Sequence, residues 1–113
     1  MSRVFVVQEQ PHVNITPARE YGELIFMLPP GTHSFNATRL VHDLRDCVEH
    51  NHFTSSDFVL LIGDPVAIGA AVAVSDQWLQ DKWNADDPPP KLKVLKWDRQ
   101  ERCYLPIELP LAE

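Results

Sequence analysis

No apolar run in the chain approaches the roughly 20 residues that a membrane-spanning helix needs. The opening residues, Met1-Ser2-Arg3-Val4-Phe5-Val6-Val7, hold one base and no sustained apolar stretch, so they do not read as a secretion signal. Cysteine is scarce. Cys47 and Cys103 are the whole complement, and without a secretion signal they are expected as free thiols packed in the core. Basic side chains are outnumbered, ten against sixteen acids, for a net charge of −6 with histidines neutral. That balance disfavours non-specific nucleic-acid binding, which needs clustered cations against phosphate. No nucleic-acid partner and no membrane association are expected.

What is present suits an ordinary folded protein: 113 residues, 44 % hydrophobic and 23 % charged. That length predicts one domain over residues 1–113. The charge is unevenly placed. Residues 91–113 carry five bases and four acids, which leaves residues 1–90 with five bases against twelve acids, a net of −7. An acidic body of this kind serves solubility and local ion pairing, or it meets a basic partner.

Strand and helix signals alternate along the chain. Arg3 to Val7 is β-branched and aromatic and predicts a strand. Residues 8–22 are polar, contain Pro11 and Pro17, and read as a long loop. Glu23 to Leu28 is a second short strand, stopped by Pro29-Pro30-Gly31. From Thr38, the residues Leu40, Val41, Leu44, Cys47 and Val48 mark one face of a helix. Ser34, Asn36 and Thr38 are its candidate caps, and His50-Asn51-His52 ends it. Phe58 to Ile62 is the strongest strand and belongs at the centre of a sheet covered on both faces.

A helix follows over Val66 to Val74, apolar almost all round and expected to be largely buried. Gly69 within it suggests a close approach to the sheet. Residues 75–90 change character and read as a surface segment: a separate helical piece to Trp83, then a stiff proline linker ending Pro88-Pro89-Pro90. The chain closes in a hairpin, Leu92 to Trp97 and Cys103 to Leu109. In its second arm Cys103, Leu105, Ile107 and Leu109 alternate with Arg102, Tyr104, Pro106 and Glu108, which predicts that the first set forms the buried face, and Pro106 predicts a sheet edge. The expected fold is α/β (α+β). It comprises a mixed sheet of about five strands, two or three helices packed on it, and a C-terminal β-hairpin.

Few residues carry a chemical signature. At Gly63-Asp64-Pro65 a strand turns into a helix, the place where open α/β sheets gather anions. Asp64 is a good cap and Pro65 a natural first helical residue, so capping accounts for the motif. No glycine-rich phosphate loop accompanies it, and Asp64 would repel a phosphate. His42, Asp46 and His50 lie four apart on a polar helix face, but eight residues span about 12 Å, too far to share one metal. Neither a zinc-type spacing nor an activated cysteine is visible. No catalytic residue, metal or cofactor is therefore assigned, and the balance leans away from an enzyme. Trp78, Trp83 and Trp97 remain. Trp78 and Trp83 flank an amphiphilic segment and do not share one helix face, so at least one is expected at the surface, where such side chains anchor protein contacts.

Two segments resemble a known group of sequences: Phe58-Val59-Leu60-Leu61-Ile62-Gly63-Asp64-Pro65, and Lys93 to Arg102 followed by Tyr104-Leu105-Pro106-Ile107. With the start Met1 to Glu9, they make the chain similar to short uncharacterised proteins of tailed bacteriophages and prophages. The resemblance rests on about half the chain, with residues 76–90 standing apart as an insertion. It implies an origin and a bacterial host cytoplasm, and it carries over no activity and no residue's role.

The leading expectation is a non-enzymatic phage-type protein acting by protein–protein interaction, with a host protein, a viral one or itself. Its expected contact surface is Trp78, Trp83, Asp86 and Asp87, joined by Trp97 and Arg99 in the hairpin turn. One alternative is a small-anion or nucleotide site at Gly63 and Asp64. A second is a minor virion or assembly component.

Overall fold

Each short apolar run forms a strand, and each 3.6-residue pattern forms a helix. The computed structural model describes residues 2–29 and 36–113. Along the chain lie β1 (Arg3–Val6), a 3-10 helix (Thr16–Tyr21), β2 (Glu23–Phe26), α1 (Ala37–His50), β3 (Phe58–Leu60), α2 (Pro65–Lys82), β4 (Leu92–Asp98) and β5 (Cys103–Leu109). The strands form one sheet in the order β2-β1-β3-β4-β5. The first four run parallel, and β5 returns antiparallel beside β4.

This order fixes the layers. A right-handed crossover from β1 to β2 and one from β2 back past β1 to β3 must leave on opposite faces. The 3-10 helix accordingly covers one face and α1 and α2 the other. Side chains alternate across a strand, so β1 supplies both cores. Phe5 and Val7 pack with Val59, Leu92 and Val94 beneath Leu44 and Val48 of α1 and Ala67 and Ala71 of α2. Val4 and Val6 pack with Leu60 and Leu95 against Ile15, Ala18 and Tyr104.

Local chemistry sets the boundaries. Asn36 caps α1, its side chain accepting from the Arg39 N–H at 3.0 Å. Asp64 caps α2 and Pro65 begins it. Gly22, at φ 147°, turns the chain into β2 beside the Ser2 carbonyl, where any Cβ would collide with the backbone. His33, the cap candidate Ser34, and Pro30 and Gly31 lie outside the described residues.

Four expectations need correction. Residues 8–22 are not all loop, because Pro17 starts a 3-10 helix whose Ala18 is buried. Residues 75–82 are not a surface segment but the second half of an uninterrupted α2, with Ser75 and Leu79 buried. α2 is less buried than its composition predicts. Only one side meets the sheet, Val66 and Ala73 are exposed, and nothing stands within 4 Å of a Cβ built on Gly69. The fourth concerns β5. Its buried residue is Tyr104, which faces the 3-10 helix, while Leu105 and Ile107 are each 37 % exposed. The helices pack over the parallel strands and leave that side of β5 open. β5 is an edge strand, as Pro106 predicts.

Candidate functional site

The parallel strands give the sheet two unlike ends. At the amino end α1 finishes at the cap residue Asn51. His52 follows in the left-handed conformation, φ 50°. The His52 N–H donates to the Glu49 carbonyl at 3.2 Å and the Phe53 N–H to the Val48 carbonyl at 3.0 Å. This is the two-bond helix stop that places an apolar residue just past the helix. It drives Phe53 into the core, edge-on to Phe5 at 4.9 Å.

A buried carboxylate then fixes the loop. Asp57 accepts from the Arg3 N–H at 2.9 Å, Arg3 Nη2 at 2.9 Å and the Thr54 N–H at 2.8 Å. A buried charge survives only when so fully paired.

The end of α2 packs against this loop. Trp78 Nε1 donates to the Phe53 carbonyl at 2.7 Å. Lys82 Nζ stands 4.5 Å from the Trp78 ring centroid, a cation over an aromatic face. Trp83 lies just past the helix, with extended backbone at φ −71° and ψ 132°. Its ring is held by a turn of the chain: Trp83 Nε1 donates to the Asp87 carbonyl at 3.0 Å, and the Asp87 N–H donates to the Asn84 carbonyl at 2.9 Å. The Asp86 N–H bonds Asn84 Oδ1 at 3.1 Å and stiffens the same turn. Between loop and turn opens a cleft of about 430 Å³ with walls of Phe53, Trp78, Leu79, Trp83, Pro88 and Pro90. His52, Lys82 and Asp87 are its ionisable lining residues.

Of the expected contact residues, the structure brings Trp78, Trp83 and Asp87 to this cleft and places Asp86 on the same turn. Trp83 is 39 % exposed. Trp78 is half-buried against the core, so its role is chiefly structural. Trp97 and Arg99 do not join them. They lie at the other end of β4, seven residues or roughly 20 Å of strand away. Trp97 is 42 % exposed there and stacks edge-on with Tyr104 at 5.0 Å. Sequence reading missed His52, Phe53, Lys82, Pro88 and Pro90. The helix stop at His50-Asn51-His52 and the triple proline were the available signals.

At the carboxyl end, β1 and β3 lie side by side where their connections depart toward opposite faces, the position at which such sheets take ligands. Here the chain fills the position itself. Asp64 Oδ2 accepts from the Val66 and Ala67 N–H groups at 3.0 and 3.3 Å, and the Asp64 N–H donates to Gln8 Oε1 at 3.0 Å. Gly63 holds φ 126°, and a Cβ there would lie 2.7 Å from Gln8 Cβ. The groups that would hold an anion are occupied by the protein's own side chains.

Among the described residues no group of three His, Cys, Asp or Glu side chains gathers where a metal ion would sit. Burial pushes the Cys47 thiol above its ordinary value, so it is not an activated thiolate. Cys103 is half-buried. No described helix is long and apolar enough to cross a membrane.

No curated protein and no solved structure is significantly similar to the chain. A family match covers nearly the whole chain, residues 76–90 included. Spanning residues 2–111, it establishes that the chain belongs to the Phage Pam3 gp32-like protein family.

Proposed function

We propose that this phage-family protein acts by binding another protein through the aromatic cleft at the amino end of the sheet, with Trp83 as the anchor. One observation carries the reading. Trp83 is fixed by its indole bond to Asp87 and by a turn bonded within itself, yet a large part of its ring faces water. A rigid, exposed Trp loses little conformational freedom on docking and buries a large apolar area, the combination found at interface hot spots. The cleft beside it offers apolar walls against which a partner's side chain is dehydrated. Nothing in the geometry favours an anion at Gly63 and Asp64 over this reading.

The test is an affinity capture from bacterial lysate with the wild-type chain and Trp83→Ala as paired baits. One dominant partner is expected on the wild type, weakened at least about tenfold by Trp83→Ala. The variant should melt within a few degrees of the wild type, because it loses one exposed hydrogen bond worth about 1 kcal/mol. Trp78→Ala is the wrong control, since that ring supports Phe53. A partner retained undiminished by Trp83→Ala overturns the assignment. If the captured partner is the chain itself, sedimentation must show oligomers that Trp83→Ala dissolves.

A further inference from the structure

Resting on the reading that the Trp83 cleft binds protein, we infer that its partner presents an arginine- or lysine-bearing segment. The partner's cation stacks on the Trp83 indole and pairs with Asp86 and Asp87. Three observations carry this.

The first is charge. Residues 76–87 hold Asp76, Asp81, Asp86 and Asp87 against the single base Lys82. Asp81, Asp86 and Asp87 are exposed, and none has an ion-pair partner among the described residues. The second is the fate of the one local cation. Lys82, one helical turn on from Trp78, lies over that ring at 4.5 Å, an ammonium on an indole face in this cleft. Among the described residues no cation lies over Trp83. The third is the contrast with Trp97, equally exposed but set among mixed charges, Lys96, Arg99 and Arg102 with Asp98 and Glu101. The same aromatic surface sits among acids at one end of the molecule and among mixed charges at the other. An arginine satisfies both parts of the acidic setting at once. Its planar guanidinium lies flat on an indole while its N–H groups reach a carboxylate. The acidic body beyond the cleft steers such a partner inward over a longer range.

The test follows the three indole N–H signals of the intact protein by two-dimensional nitrogen–proton spectroscopy, assigned with single Trp→Phe variants. The probe is the peptide acetyl-Gly-Arg-Gly-Arg-Gly-amide, with its Lys and Glu counterparts as comparisons. The Arg peptide is expected to shift the Trp83 signal saturably and to leave Trp97 in place. Binding should weaken about fivefold in Asp86→Asn/Asp87→Asn, whose surface substitutions leave the fold intact. It should weaken further as salt rises from about 50 mM to about 500 mM.

An equal shift by the Glu peptide, or an unchanged affinity in the double variant, overturns the inference. Its failure is separable from that of the interface reading. A partner lost by Trp83→Ala but held by Asp86→Asn/Asp87→Asn removes the charge assignment alone. A partner held by Trp83→Ala removes the interface itself.

Discussion

At the carboxyl end of the sheet the Asp64, Val66 and Ala67 N–H groups, which an anion would use, are bonded within the chain: Asp64 caps its own helix, and Gln8 accepts from the Asp64 N–H. At the amino end the opposite holds. Asp57 is saturated beneath the surface, while the turn above it leaves Trp83 half open and, among the described residues, two aspartates without an ion-pair partner. The family of open parallel sheets directs attention to the first place, and this molecule spends that place on helix capping. The lesson is that a topological switch point marks where strands diverge. What the diverging loops carry decides whether anything binds there.

The contrast is open to direct perturbation. The largest effect is expected at the amino end. Asp57→Ala leaves Arg3 and two backbone N–H groups without their acceptor and should cost about 3 kcal/mol, read from urea denaturation. It should also release the loop that supplies His52 and Phe53, so cleft binding falls with stability. A smaller loss is expected at the other end. Asp64→Ala removes the cap of α2 and should cost about 1 kcal/mol in the same experiment, with capture of a cleft partner unchanged. A capture loss there would erase the distinction between the two ends.

Between them lies a site expected to gain. Gly69 is exposed within α2 and has open space where a Cβ would go. Gly69→Ala should therefore raise stability by about 0.8 kcal/mol, and a loss would mean that the bare side of α2 is covered in solution.

The smallest effect is a pH dependence from Cys47. Burial raises its folded-state pKa above the ordinary 9.0, so the unfolded chain releases the proton first. Stability from this group is intact below about pH 9 and declines as pH rises through the folded value. Cys47→Ser should flatten that limb of the melting profile.

Much of the fold was legible because its causes are local. Asp64 announces a helix start by side-chain chemistry alone, Asn36 is one of three candidate caps for the other, and Pro106 announces an edge because it lacks a donor. What was not legible depends on what lies above a given face. Leu105 and Ile107 alternate like a buried set, yet burial requires a covering helix, and α2 stops short of β5. Ser75 and Asp76 read as a break because polarity changes there. The helix continues because Ser75 and Leu79 still face the core. Their neighbours Gln80 and Gln77 bond Asp76 and Asp81 on the outer side.

The candidate site divided the same way. Two tryptophans five residues apart were visible, but not that α2 ends between them, leaving one ring inside and one out. Trp97 was joined to them in sequence reading because aromatic character was the only available criterion. Parallel strand direction, which sets it at the opposite end, is a tertiary fact.

The direction of β5 has a further bearing on how the molecule is joined to anything else. Arg3 opens β1 at the amino end, and Leu109 pairs with Leu92, so β5 finishes at that end too. The start of β1 and the finish of β5 thus lie at the end of the sheet where the Trp83 cleft opens. A segment tethered to either one is held near the cleft at high local concentration, where it competes with a free partner or delivers a tethered one. A partner peptide fused beyond β5 is therefore expected to compete at the cleft, more strongly through a linker that matches the span.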